Sequence, residues 1–451
     1  MNHNKSLVTS NVFKALLFFS VPVFFARMLQ VLYSSTGLLI LGNFSTTAEA
    51  SGASTASLIM LLVTLTLFGL TNGLMVVIGQ YCGAKSEEDA AGAIGASVAF
   101  FAVFTVVVTV LLLFIADPLI KLLNTPPEAI IHAKNYLRIS SMGVVFIVGY
   151  NVVGSICRGL GNSVAPLFFV AVAFVVNIGL GLLFIPVLHM GATGSALALV
   201  IAQGVSFFFA LIYLRKTGLG FKFSRRYIRF NFTYIKKLVK LGAPLSLQEI
   251  LVMLSFMFIT SVINKKGITE SAAVGFVEQL VTFLMMPTTS IASAVSAISA
   301  HNFGANEPSR AKKCMWYGFL MSLAISVVLV VFCWFKGDLL VWLFSKDKAV
   351  IEQGFLYLKS YGLDCLFISY IFIMNGYFTS CNHSIFSMIH SIASTILLRI
   401  PVTAFLSTKP WATMFHLGLA APLCSVGSVI LCIIFYRHLS KKQERLSLSI
   451  S

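Results

Sequence analysis

Twelve stretches of some twenty or more mostly apolar residues follow one another along the chain, at about 13–42, 56–81, 92–115, 136–157, 165–187, 191–213, 243–264, 273–299, 315–336, 354–378, 386–407 and 415–436. A helix needs about 20 such residues to cross a hydrocarbon layer of roughly 30 Å, and inside lipid its backbone groups must bond to one another. None of the runs alternates as a membrane-barrel strand does. The chain therefore reads as an all-α membrane protein with twelve transmembrane helices. Composition agrees: 58% of the 451 residues are hydrophobic and 10% charged, too few polar groups to clothe a water-facing surface. The opening MNHNKSLVTS has no small-residue cleavage site behind its first apolar run, so that run is expected to stay as the first helix. The eight Cys lie mostly within apolar runs without CxxC or metal-ligand spacing, which points to packed thiols.

Lys and Arg outnumber Asp and Glu by 32 to 15. In a soluble chain that excess would suggest nucleic acid; here it orients the helices. The stretch from Arg215 to Lys240 carries Arg215, Lys216, Lys222, Arg225, Arg226, Arg229, Lys236, Lys237 and Lys240 and no acid. Placing it in the cytoplasm puts both termini there too, with 20 basic residues inside against about 10 outside, as the positive-inside bias requires. The expected location is the inner (plasma) membrane. A lipid-binding role for the stretch is a possible addition to the topology signal.

That stretch also divides the chain into a lobe at 1–214, a linker at 215–240 and a lobe at 241–451. The halves match at a nearly constant offset. Ser20-Val21-Pro22 and Gly242-Ala243-Pro244 differ by 222; Gly83-Ala84-Lys85 and Gly304-Ala305-Asn306 by 221; Tyr136-Leu137-Arg138 and Tyr357-Leu358-Lys359 by 221, with Phe146-Ile147 and Phe367-Ile368 in step. Six helices is an even number, so both halves start from the same face. The expected architecture is two six-helix lobes related by a parallel pseudo-twofold repeat, with a central cleft that rocking exposes to alternate sides.

Several marks recur in order. They are Pro22, Gln30 and Tyr33; Gly69, Gly73 and Gln80-Tyr81-Cys82-Gly83-Ala84-Lys85; Arg158-Gly159-Leu160-Gly161-Asn162; and Asn177. The second half adds Leu241-Gly242-Ala243-Pro244, His301-Asn302-Phe303-Gly304-Ala305, Arg310-Ala311-Lys312 and Arg399-Ile400-Pro401. The set resembles the multidrug and toxic-compound extrusion (MATE) family over about 12–438. The resemblance implies antiport, in which protons or sodium ions enter while an amphipathic, often cationic compound leaves. Many relatives carry Tyr-x-x-x-Asp in the first helix and Asn-x-x-x-Asp in the fifth. Here Gly37 follows Tyr33 and Gly181 follows Asn177 at those spacings, so that ion site is not carried over. His301 stands where the family usually has Gln.

An acid inside the hydrocarbon layer is costly and thus a functional candidate. The first half has none deep in a run: Glu49, Glu87, Glu88, Asp89, Asp117 and Glu128 fall at loops or helix ends. The second half offers Glu249, roughly 10 Å inside its helix by rise per residue, and Glu278 and Asp364 in the outer half of the bilayer. Glu249, following the helix-bending Pro244, ranks first as the coupling residue, with Glu278 and Asp364 as alternatives or partners. Gln248 and Asn177 complete the candidate ion-coupling and substrate-binding set. Arg27 and Arg399 are embedded and either neutralise an acid or snorkel; His383 and His390 read as packing histidines. The expected ligands are a small-molecule substrate, membrane lipid and a coupling ion, H+ or Na+, with no other cofactor, no nucleic acid and a monomeric state. Two alternatives stay open: a flippase for a lipid-linked saccharide, disfavoured by having only two embedded cations, and an intramembrane receptor or enzyme, for which no HExxH, paired-Asp motif or phosphate loop is present.

Overall fold

The structure is a computed structural model and describes residues 4–448, among which every regular element is helical. A short α1 (Asn4–Thr9) precedes α2 (Val12–Phe44), α3 (Thr47–Gly83), α4 (Glu87–Leu122), α5 (Pro127–Met142), α6 (Val144–Gly159), α7 (Val164–Leu182) and α8 (Gly191–Thr217). The second half runs through α9 (Phe232–Ile263), α10 (Ile268–Gly304), α11 (Pro308–Trp342), α12 (Lys348–Tyr361), α13 (Asp364–Ser380), α14 (Ser384–Ser394), α15 (Ile400–Ser407), α16 (Met414–Gly418) and α17 (Ala420–Leu448). Among the described residues ten helices are long and apolar enough to cross a membrane. The bent pairs α5–α6 (47°) and α12–α13 (46°) bring the number to the expected twelve when each is one broken span.

The halves repeat in their helix stops as well as in their spans. Lys85 and Asn306 both take positive φ, 57° and 58°, and so do Gly161 and Asn382, 89° and 68°. Each follows a helix end, and around each the chain closes with a six-to-one backbone bond: Ser86 N to Tyr81 O, Glu307 N to Asn302 O, Asn162 N to Cys157 O and His383 N to Phe378 O. These are left-handed caps that satisfy the last carbonyls of a helix. Both pairs of stops differ by 221 residues, the offset already visible in the sequence.

Two proline-linked departures do not repeat. A π turn spans Leu183–Val187 around Pro186, and another spans Thr395–Arg399 just before Pro401. Proline has no N–H and its ring crowds the carbonyl four residues back. The wider turn absorbs this, with Ile400 N–H bonding to Thr395 O. Arg399 thus sits at the end of a π turn inside a membrane span.

By packing the chain forms two compact units. One holds the residues up to Ser246 together with Ala297–Ala311; the other holds Leu247–Ser296 and the chain from Lys312 onward. The linker and the end of α10 therefore belong with the first unit. In that unit α3 buries Gly69, Gly73, Gly83 and Ala53, while α4 turns Val106, Leu111 and Phe114 outward. Lipid tails are as apolar as leucine, so helices in a bilayer gain little from burying methyls. Small residues that admit close backbone approach hold them together instead.

Candidate functional site

Four of the five sequence candidates lie in the second unit's helices, and two of them come together. Glu278 on α10 reaches Thr260 of α9, whose hydroxyl lies 3.3–3.4 Å from both carboxylate oxygens. Asp364 is the first residue of α13, at the break between α12 and α13. It is 4% exposed, its carboxyl group lies beside the Ser425 hydroxyl on α17, and its Oδ1 is buried without a hydrogen-bond partner. Among the three acids Asp364, not Glu249, is the most deeply buried. Sequence reasoning ranked them by distance from a helix end, whereas burial is set by the neighbours.

Between the two acids' electrostatic fields lies Arg399. Its guanidinium donates to the Tyr361 hydroxyl at 3.0 Å and stacks over the Phe256 ring at 4.2 Å. The Pro401-induced π turn ends on this residue, so the proline helps to decide where the guanidinium points. Tyr357 and Tyr361, rings 5.6 Å apart edge to face, line the same place. The cluster thus carries two carboxyl groups against one fixed cation. A surplus carboxylate with an orphaned buried oxygen is a fit for a small cation or a proton, since leaving such an atom unpaired costs about 1–3 kcal/mol or more.

Glu249 and Gln248 lie elsewhere. Glu249 is half-buried on α9, eleven residues or about 16 Å along the helix from Thr260. Gln248 is buried and its Oε1 has no hydrogen-bond partner. Asn177 is buried on α7 in the first unit. Tyr357, Tyr361, Thr260 and Ser425 were not singled out for the site by sequence. Tyr357 had entered only as a repeat marker, which was the one available signal.

The first unit occupies the matching positions with neutral groups. Offsets of 221 and 222 set Ser57 against Glu278, Tyr136 against Tyr357 and Asn177 against Arg399. Ser57 Oγ lies 3.5 Å from the Tyr136 hydroxyl. A Cβ at Gly37 would touch only Ser195 Oγ at 3.8 Å, and one at Gly181 only Ile40 Cδ1 at 3.3 Å. The described acids of this unit serve helix ends. Glu49 closes a capping box with Thr46, Asp89 accepts from Ser86 and Tyr234 at 2.6 and 2.9 Å, and Asp117 pairs with Lys134 at 2.9 Å. Neutralising Glu49, Glu87, Glu88, Asp89, Asp117 and Glu128 together should cost stability, about 1 kcal/mol for a lost cap. It should leave activity per folded protein within about twofold; activity abolished at normal protein level would place an essential carboxylate in this unit.

The chain matches the MatE family model twice, over residues 22–183 and 244–405, stretches displaced by 222 residues (244 against 22, 405 against 183). It is 28% identical to the probable multidrug resistance protein YpnP of Bacillus subtilis (strain 168) over 434 residues, 95% of each chain. It is 23% identical to the multidrug export protein MepA of Staphylococcus aureus (strain MRSA252), covering 96% of both. Its fold superposes on a MATE crystal structure in complex with MaL6 with a TM-score of 0.92, at 18% identity, over 98% of this chain and 99% of that one. An outward-facing multidrug resistance MATE transporter of the MOP superfamily gives 0.91, at 18% identity over 98% of each. With its model matched in both halves and the same two-lobed helical fold, the chain belongs to the MatE family of multidrug efflux transporters, and it is a multi-pass membrane transporter rather than an enzyme.

Proposed function

We propose that this chain is a secondary active antiporter that exports amphipathic, cationic small molecules in exchange for protons or sodium ions, with the ion held in the second unit by Asp364 and Glu278. The observation that carries the reading is the buried Asp364 carboxylate, whose Oδ1 has no partner, beside a single arginine and a second acid. An antiporter needs a group that binds the ion in one state and yields it in another, because a ligand shifts an equilibrium only through its differential affinity. The replacement of the first unit's usual acids by Gly37 and Gly181 leaves that task to the second unit. The relatives named for multidrug resistance and export support the substrate class. The linker and both termini are taken as cytoplasmic from the charge bias.

Inverted vesicles offered a fluorescent organic cation in the medium, with pH and sodium gradients imposed separately, test the reading. Cation movement should follow one of the two gradients and stop when it is collapsed. Movement indifferent to both would overturn antiport. Glu249, outside the cluster but within the membrane span, then serves access rather than ion binding. The Glu249→Gln change should slow efflux by about tenfold, about 1.4 kcal/mol, while keeping its dependence on the driving gradient. Complete loss of that dependence would return Glu249 to first place.

A further inference from the structure

We propose that the connection between α8 and α9 is a docking surface for anionic phospholipid headgroups. Charge alone would be a topology signal and nothing more, but the connection is a folded surface. It turns through a 3-10 segment at Arg225–Tyr227. The carbonyl of Tyr227 sits against Gly95 of α4, where a Cβ would strike it. The Tyr234 hydroxyl donates to Asp89, its ring meets Tyr81 edge to face at 5.9 Å, and Lys237 lies over the Tyr81 ring at 4.2 Å. These contacts fix the backbone of the turn while Lys216, Arg225, Arg229 and Lys236 stay exposed.

Between the basic groups stand apolar side chains with little cover. Phe223, Ile228 and Phe230 are exposed and Phe232 is 78% exposed; Phe230 and Phe232 pack edge to face at 5.9 Å. Exposed phenyl groups interleaved with cations suit the headgroup boundary, where rings enter the acyl edge and cations meet phosphate. The position fits as well. Thr217 ends the helix of one candidate span and Phe232 starts that of the next, so the stretch between them lies on one face of the membrane beside two span ends. A cavity of about 750 Å³ against α4 is lined by Glu87, Glu88, Lys222 and Arg226, among others. Its two acids offset part of the basic charge, which leaves a surplus from the nine basic residues of 215–240. That surplus selects anionic over zwitterionic lipid.

Native mass spectrometry of the full chain in a neutral detergent tests this, with phosphatidylglycerol and phosphatidylcholine of equal chain length offered in equal amounts. The wild type should retain phosphatidylglycerol several-fold more than phosphatidylcholine. The triple change R225Q/R229Q/K236Q should weaken phosphatidylglycerol retention at least about tenfold and leave phosphatidylcholine unchanged, while R225K/R229K/K236R keeps the preference. If the triple variant does not fold, the three single changes are read in the same way, each expected to lower retention. Equal retention of both lipids by the wild type, or an undiminished preference in folded charge-neutral variants, would overturn the proposal.

Discussion

Replacing Asp364 with Asn should abolish ion-driven efflux, by at least about a hundredfold, while the protein still folds and reaches the membrane. The substitution keeps shape and volume, and Ser425 can still bond to an amide. It removes the one charge whose Oδ1 is buried and unpartnered. A hundredfold loss corresponds to about 2.7 kcal/mol of differential binding, well within what one buried charge contributes when it is paired in one state only. Removing an acid beside a buried guanidinium risks leaving that cation uncompensated. Arg399 is protected in part, because it keeps the Tyr361 hydroxyl and the Phe256 ring and the Glu278 field. Glu278→Gln should produce a smaller loss, since Thr260 already bonds that carboxylate and it is less buried than Asp364. The measurement is efflux from vesicles at matched protein level, with each gradient imposed in turn. Wild-type rates in Asp364→Asn would remove this residue from coupling.

The repeat makes the chemistry asymmetric. One scaffold, used twice, carries Ser57, Tyr136 and Asn177 in the first unit and Glu278, Tyr357 and Arg399 at matching positions in the second. Under the proposed antiport one ion site suffices. The first unit can therefore lose its acids without loss of the architecture. A Cβ at Gly37 would meet only ordinary contact, whereas one at Gly181 would press on the tip of the Ile40 side chain.

How much of this the sequence discloses follows from how local each property is. Span number and repeat are local: a run of twenty apolar residues is read from the run itself, and an offset of 221 from short identities. The breaks at Gly143 and at Gly362–Leu363 were missed, because no proline marks them and each reads as a glycine inside an apolar run. The π turn was missed too, although Pro401 supplied a cause. The acids are legible in the sequence, since a carboxylate in an apolar run is conspicuous. Their relative burial is not, because Asp364 is enclosed by Ser425 of α17 and by the Arg399 turn, segments tens of residues away in sequence. Arg399 was noticed as an embedded cation with no means of naming its partner; only the fold brings Tyr361 and Phe256 to it.

The largest structural effect is expected where α3 meets the end of α10, inside the first unit. A Cβ on Gly83 would fall on the carbonyl oxygen of His301, and a Cβ on Gly304 on that of Gln80. Residues 83 and 304 differ by 221, as do 80 and 301, so the crossing is reciprocal, as at a twofold axis. It continues along α3, where a Cβ on Gly73 would come within 2.7 Å of Gly242 N and one on Gly242 within 2.7 Å of Leu70 Cα. Beside it the buried His301 donates from Nε2 to the Gly159 carbonyl at 2.8 Å; a carbonyl can only accept, so the tautomer follows. The obstacles are backbone atoms, which cannot swing aside as a side chain can. Gly83→Val or Gly304→Val must part the helices or leave them unfolded. Overpacking usually costs about 1–3 kcal/mol, and a backbone obstacle puts these changes at or above the upper end. Each should lower the thermal midpoint of the purified protein by several degrees and cut efflux at least about tenfold. Gly179→Ala and Gly275→Ala are the controls. Nothing lies within 4 Å of a Cβ at either helical position, so alanine should be neutral or stabilising by about 0.5–1 kcal/mol. Valine tolerated at 83 and 304 as readily as alanine at 179 and 275 would show that the two helices do not depend on this contact.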